Sequence, residues 1–79
     1  MLSDRHTRQL LNDLCVELGF CLPRADVERL AAAPPTDVLA FTDAVFSAEG
    51  LSPQTADRHL YRQVRDMVAA AFRRSDADG

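Results

Sequence analysis

Glycine and proline interrupt this 79-residue chain at Gly19, Pro23, Pro34–Pro35, Gly50 and Pro53. Glycine ends helices because it adopts the left-handed conformation at little cost, and proline is tolerated only in a helix's first turn. Between these residues the apolar side chains recur with the spacing of one helical face, and no segment alternates as a strand does. The pattern therefore predicts four helices, near residues 3–18, 23–33, 36–49 and 52–74.

Each predicted helix carries an apolar stripe for a shared core. The widest stripe lies on the third helix and consists of Val38, Leu39, Phe41, Val45 and Phe46. We expect this helix to be the most buried, because its stripe covers about half of the helical circumference.

Residues that cap the first turn of a helix mark where three of the helices begin. We expect Ser3 or Asp4 to cap the first helix, Thr36 the third and Ser52 the fourth, with Pro53 at the first helical position.

The length allows one domain with one core. Short connections, helices of unequal length and the Pro-Pro break favour an irregular or orthogonal bundle over four parallel rods. We therefore predict an all-α, small four-helix domain over residues 1–74, followed by a flexible acidic tail at 75–79.

Charge and hydropathy limit the class of protein. The formal net charge is −3, so the molecule as a whole does not attract nucleic acid or an anionic membrane. No apolar run approaches the roughly 18 residues that span a bilayer, and the charged N-terminus does not resemble a signal peptide. We expect a cytoplasmic protein with no membrane contact.

The two cysteines, Cys15 and Cys21, are six residues apart. Structural zinc sites need four ligands, often with a CxxC spacing, and only His6 and His59 remain as further soft ligands. Cytoplasmic thiols stay reduced, and free cysteine is among the most buried residue types. We therefore expect two reduced core thiols, with a disulfide or redox pair and a metal site as alternatives.

The sequence contains no catalytic motif that we can identify. It has no Ser/His/Asp or Cys/His signature, no glycine-rich phosphate loop and no HExxH. We therefore expect no enzymatic activity and no cofactor.

The clearest surface pattern is on the fourth predicted helix. Its members are Arg58, Arg62, Arg65 and Arg73, whose i, i+4, i+7, i+15 spacing keeps them on one side of a helix. We call them the arginine side. This predicted helix has five arginines against two aspartates, a net of +3, whereas the third has three acids and no base, a net of −3. We therefore expect a bipolar molecule.

Three interpretations compete for the arginine side. It is a solvated face, a docking surface for an acidic protein or for the acidic helix of a second copy, or a nucleic-acid surface. The acidic total and the absence of exposed aromatic residues weigh against nucleic acid. The leading hypothesis is a small helical protein-interaction module with a protein partner or as a homodimer. The alternatives are a weak nucleic-acid or anionic-ligand binder and a thiol redox or metal-binding protein.

Overall fold

The computed structural model describes residues 2–52 and 57–78, and over these residues its regular structure is four α-helices. They are α1 (Asp4–Leu18), α2 (Arg24–Ala32), α3 (Val38–Ala48) and α4 (Arg58–Asp78). The helix α1 packs against both α2 and α4, and α3 packs against α4. The predicted small all-α four-helix domain is confirmed.

Both ends of α1 lie where the sequence predicts them. The Ser3 hydroxyl accepts a hydrogen bond from the His6 N–H at 3.1 Å, which satisfies one of the unpaired amides of the first turn. At the other end Gly19 has φ +69° and donates its N–H to the Cys15 carbonyl at 3.0 Å. The left-handed glycine turns the chain back across the end of the helix.

The C-terminal end of α3 is also closed by a left-handed glycine. Gly50, with φ +76°, donates its N–H to the Ser47 carbonyl, and Leu51 donates to the Phe46 carbonyl at 2.9 Å. This pair of hydrogen bonds is a Schellman motif, which satisfies two carbonyls that have no partner inside the helix.

Two predicted N-caps are wrong, and an aspartate takes the role in each case. The Asp37 carboxylate, not Thr36, accepts the Ala40 N–H at 2.9 Å. The Asp57 carboxylate accepts the His59 N–H at 2.8 Å, so α4 begins at Arg58 and not beside Ser52. A capping carboxylate also interacts favourably with the positive end of the helix dipole. Pro53 lies outside the described residues.

The C-terminal boundary of α4 also differs from the prediction. The helix ends at Asp78 and not at Arg74, and Ser75 is only 8% exposed. The segment predicted as an acidic tail therefore belongs to α4 up to Asp78, and its flexibility stays a prediction. The helix α2 differs from its predicted bounds by one residue at each end, which is within the usual fraying of helix termini.

The apolar stripes of the four helices meet in one hydrophobic core. Its buried members include Leu2, Leu10, Leu11, Leu14, Phe20, Leu30, Phe41, Val45, Phe46, Val64, Val68 and Ala71. One predicted core residue is wrong: Leu39 is 56% exposed. It lies in the first turn of α3, two turns before Phe46 on the same side, so the elements that cover Phe46 do not reach it.

Aromatic side chains connect the elements inside this core. The ring of Phe46 lies 4.9 Å from that of Phe20 and 5.3 Å from that of Tyr61, measured between centroids. A second contact, edge-to-face at 6.2 Å, joins Phe41 to Phe72. Such pairs contribute about 0.5–1.5 kcal/mol beyond the burial of their area.

We predict that Phe41→Ala lowers the free energy of unfolding by about 3–5 kcal/mol, because it leaves a cavity at a fully buried position. Urea denaturation followed by circular dichroism measures the loss. Leu39→Ala, on the same helix but exposed, is the control and should change stability by less than about 0.5 kcal/mol. Equal losses for the two variants would contradict the burial of Phe41.

Candidate functional site

The unbroken α4 helix carries the arginine side on its surface. Arg58, Arg62 and Arg73 are exposed, and the Arg65 side chain retains 41% of its exposure. Since a helix rises 1.5 Å per residue, the four guanidinium groups are distributed over about 22 Å along the axis. They form an elongated row and not a compact pocket.

Most guanidinium groups in this row have no ion-pair partner in the part of the chain that the structure describes. Arg65 lies 3.3 Å from the Asp66 carboxylate. Among the described residues, Arg58, Arg62 and Arg73 have no carboxylate within the 4.0 Å of an ion pair. A guanidinium group presents its N–H donors as a rigid fork. Donors that have no acceptor within the protein can bind an external anion.

The C-terminal end of the row is less basic than the sequence pattern indicates. Because α4 continues to Asp78, Asp76 is part of the helix, three residues after Arg73. Residues three apart lie on the same side of a helix. The row therefore has an acidic residue near Arg73 that the predicted helix end at Arg74 did not include.

Beside the arginine side, one polar contact joins α4 to α3. The Tyr61 hydroxyl donates a hydrogen bond to the Asp43 carboxylate at 2.7 Å, while its ring stacks on Phe46. The bond to Asp43 and burial raise the pKa of Tyr61, and the nearby Arg65 guanidinium opposes this shift. The tyrosine thus links α3 to α4 at the edge of the row.

The bipolar charge distribution stays a prediction, although the acidic helix and the basic helix are packed neighbours. At their contact Asp43 and Arg65 both act on the pKa of Tyr61, so one acid and one base lie near each other there. Two of the three acids are also engaged within the chain, Asp37 as an N-cap and Asp43 as the acceptor for Tyr61. The α3 helix is therefore poorly suited to bind α4 of a second copy.

A second charged group, formed by Arg8, Glu28 and Asp4, joins α1 to α2 and engages the Arg8 guanidinium within the chain. Arg8 donates two hydrogen bonds to the Glu28 carboxylate, at 2.8 and 2.9 Å, and one to Asp4 at 3.0 Å. These bonds raise the pKa of Arg8, and the guanidinium lowers the pKa of Glu28. The side chains are exposed, so water and salt screen much of the attraction.

The prediction of two reduced core thiols is wrong. Cys15 and Cys21 form a disulfide with their Cα atoms 4.2 Å apart. The left-handed turn at Gly19 reverses the chain and returns Cys21 to the last turn of α1. In this turn Phe20 is the buried residue, with 6% exposure. Cys15 is half-buried and Cys21 is exposed.

The disulfide lies in the wall of a surface cavity of about 300 Å³ between α1 and α2. The other lining residues are Leu11, Leu22 and Val27, with Arg8 and Asn12. The sequence analysis does not predict this cavity. A spacing of six residues between the cysteines does not predict the cavity, because the turn at Gly19 that brings them together has to be known first.

Among the described residues, neither histidine belongs to a group of side chains that could hold a metal ion. In the described part of the chain no group of three or more His, Cys, Asp or Glu side chains could hold a metal ion. His59 is exposed near the start of α4, and the Nδ1 atom of His6 lies 2.7 Å from the Ser3 hydroxyl. Within residues 2–52 and 57–78, no helix combines the length and apolarity that crossing a membrane requires.

No protein-family model matches this chain, and no curated protein or solved structure shows significant similarity to it. Its function is therefore inferred from its own residues and their geometry.

The Tyr61–Asp43 bond predicts an upward shift in the titration of the tyrosine. Tyr61 is the only tyrosine and there is no tryptophan, so the ultraviolet absorbance of phenolate reports this group alone. We expect a midpoint above the ordinary value of about 10 and a lower midpoint in Asp43→Ala. Asp66→Ala is the control, and a shift of equal size there would contradict the assignment.

The raised pKa of Tyr61 also predicts how the free energy of unfolding changes with pH. A raised pKa means that folding favours the protonated phenol, so its contribution is fully present below the unfolded-state pKa of about 10. The contribution is lost as the pH rises through the folded-state pKa. Asp43→Ala should therefore reduce this alkaline loss of stability, as measured by urea denaturation across that range.

We predict that reduction of the disulfide lowers the free energy of unfolding by about 2 kcal/mol. The link closes a short loop, with a sequence separation of 6, and the entropy removed from the unfolded chain grows with loop length. Urea denaturation with and without a phosphine reductant measures the change. The Cys15→Ser/Cys21→Ser double variant should be insensitive to the reductant, and unchanged stability of the wild type would contradict the prediction.

Proposed function

We propose that this chain is a small helical binding module, without catalytic activity, which uses the arginine side of α4 to dock an acidic segment of a protein partner. One observation carries the proposal: Arg58 and Arg62 are exposed, have no ion pair among the described residues, and project from a helix whose opposite face is in the core. A guanidinium fork binds a carboxylate with two parallel hydrogen bonds.

The shape of the arginine side favours an extended or helical protein segment. Arg58, Arg62 and Arg65 lie within eight residues of α4, and Arg58 and Arg65 are about 10 Å apart along the helix axis. A partner with two or three carboxylates at helical spacing matches this distance. The core behind α4 fixes the backbone positions of the three arginines, so binding orders their side chains but not the helix.

A homodimer and a nucleic-acid complex are less well supported. Two of the three acids that α3 would offer to a second copy are engaged within the chain, as described above. Nucleic-acid binding would have to overcome the net charge of −3, and the aromatic side chains of α4 lie against the core instead of facing bases. The cytoplasmic location stays a prediction, and the disulfide weighs against it because such links are rare in that compartment.

The test uses two variants that remove the same charge. Arg58→Gln/Arg62→Gln/Arg65→Gln removes three of the four members of the arginine side, and the control Arg5→Gln/Arg24→Gln/Arg74→Gln removes three exposed arginines that are not members. The probe is an oligo-glutamate peptide, titrated by fluorescence anisotropy at low and at physiological salt. We expect the first variant to bind about tenfold more weakly than the wild type, since three exposed pairs together contribute about 1–2 kcal/mol.

The control variant should keep most of the affinity. Equal losses in the two variants would show general attraction to positive charge and would contradict a docking surface on α4. A single-stranded oligonucleotide measured in parallel identifies the main alternative, because nucleic-acid binding falls steeply with salt as counterions are released. Tighter binding of the oligonucleotide than of the peptide would replace the proposal with that alternative.

A further inference from the structure

We propose that the Cys15–Cys21 disulfide is a site of thiol–disulfide exchange, and that the cavity beside it holds the apolar part of an attacking low-molecular-weight thiol. This inference concerns the α1–α2 side of the molecule and is independent of the arginine side. It depends on two observations: Cys21 is exposed, and the cavity wall that includes the disulfide is mainly apolar.

The exposure of the two cysteines differs and determines where attack occurs. Cys21 lies in the connector after Gly19 and is exposed, whereas Cys15 is half-buried on α1. Exchange requires a thiolate to reach one sulfur of the disulfide, so access favours the Cys21 Sγ. Exposed disulfides are in general the labile ones, while structural links resist reduction.

The cavity supplies a binding site for the substituent of the thiol. Leu11, Leu22 and Val27 line it together with both cysteines, and its volume of about 300 Å³ is at the lower end of small-molecule sites. Its one charged lining residue, Arg8, already donates to Glu28 and Asp4. The site therefore offers apolar surface beside a disulfide, which suits a small uncharged apolar thiol better than an anionic one.

The reaction balances without any further reactant. The thiolate attacks the Cys21 Sγ, a new sulfur–sulfur bond forms to Cys21, and the Cys15–Cys21 bond breaks with its electron pair leaving on Cys15. The Cys15 thiolate takes a proton from water. A second thiolate then attacks the small molecule's sulfur in the mixed disulfide and releases Cys21. Two thiols are oxidised to one disulfide, and the protein disulfide is reduced to two cysteines.

The experiment compares two thiols at equal thiolate concentration: benzyl mercaptan, which has an apolar substituent, and 2-mercaptoethanol, which is hydrophilic. Exchange is followed by mass spectrometry after alkylation. We expect benzyl mercaptan to react about tenfold faster, because its ring leaves water as the attacking complex forms. The free Cys21 thiolate of Cys15→Ser should attack dibenzyl disulfide, release one benzyl mercaptan and retain the mixed disulfide, because this variant has no Cys15 thiol to displace the bound group.

A variant that fills the cavity separates binding from simple reactivity. Val27→Phe places a larger side chain in the cavity and should remove the preference for benzyl mercaptan. Val16→Phe, at a position of α1 that is 74% exposed, is the matched control and should retain it. Circular dichroism of both variants verifies that they are folded, and the wild-type preference is measured independently of either.

Three results would overturn the proposal. Equal rates for the two thiols would mean that the cavity does not bind the substituent. A preference that persists in Val27→Phe would place the apolar contact elsewhere on the molecule. Resistance of the disulfide to both thiols under native conditions would make it a purely structural link.

Discussion

The packing of Phe46 against two other rings holds the elements of this small domain together. Phe46 is fully buried on α3 and contacts Phe20 of the α1–α2 connector and Tyr61 of α4. The same residue accepts the backbone hydrogen bond that closes the end of α3. One side chain thus ties together the connector that carries Cys21, the acidic helix and the basic helix, and both candidate sites depend on the positions that this packing fixes.

The sequence predicts the helices well because their signals are local. Glycine in the left-handed conformation ends α1 and α3 as expected, and the Ser3 cap lies where it was predicted. The errors occur where a second residue near the start of a helix can also act as the cap. Asp37 caps α3 although Thr36 has a suitable hydroxyl, and Asp57 caps α4 downstream of Ser52. The spacing of apolar residues does not distinguish between such neighbours.

The features that the sequence does not predict depend on contacts between separate elements. The exposure of Leu39 follows from which part of α3 its neighbours cover, and the packing of α3 beside α4 brings an acid and a base near the same tyrosine. The Cys15–Cys21 link depends on how sharply Gly19 turns the chain, which a spacing of six residues does not specify. The arginine side was identifiable because its members share one helix, but its reduced charge near Arg73 depends on where α4 ends.

The helix α2 has a one-sided attachment that affects how the domain opens. It packs mainly against α1, whereas α3 packs against α4. The Arg8–Glu28 ion pair and the Cys15–Cys21 disulfide, which lies just before α2 in the chain, also connect α2 to α1. The helix α2 also has only two buried residues, Leu30 and Ala31, whereas α3 has four. Amides in a helix with little burial exchange their hydrogens through local openings that leave the rest of a protein folded. In this molecule α2 can separate from the core while remaining tethered to α1, so its amides should exchange with solvent before those of α3.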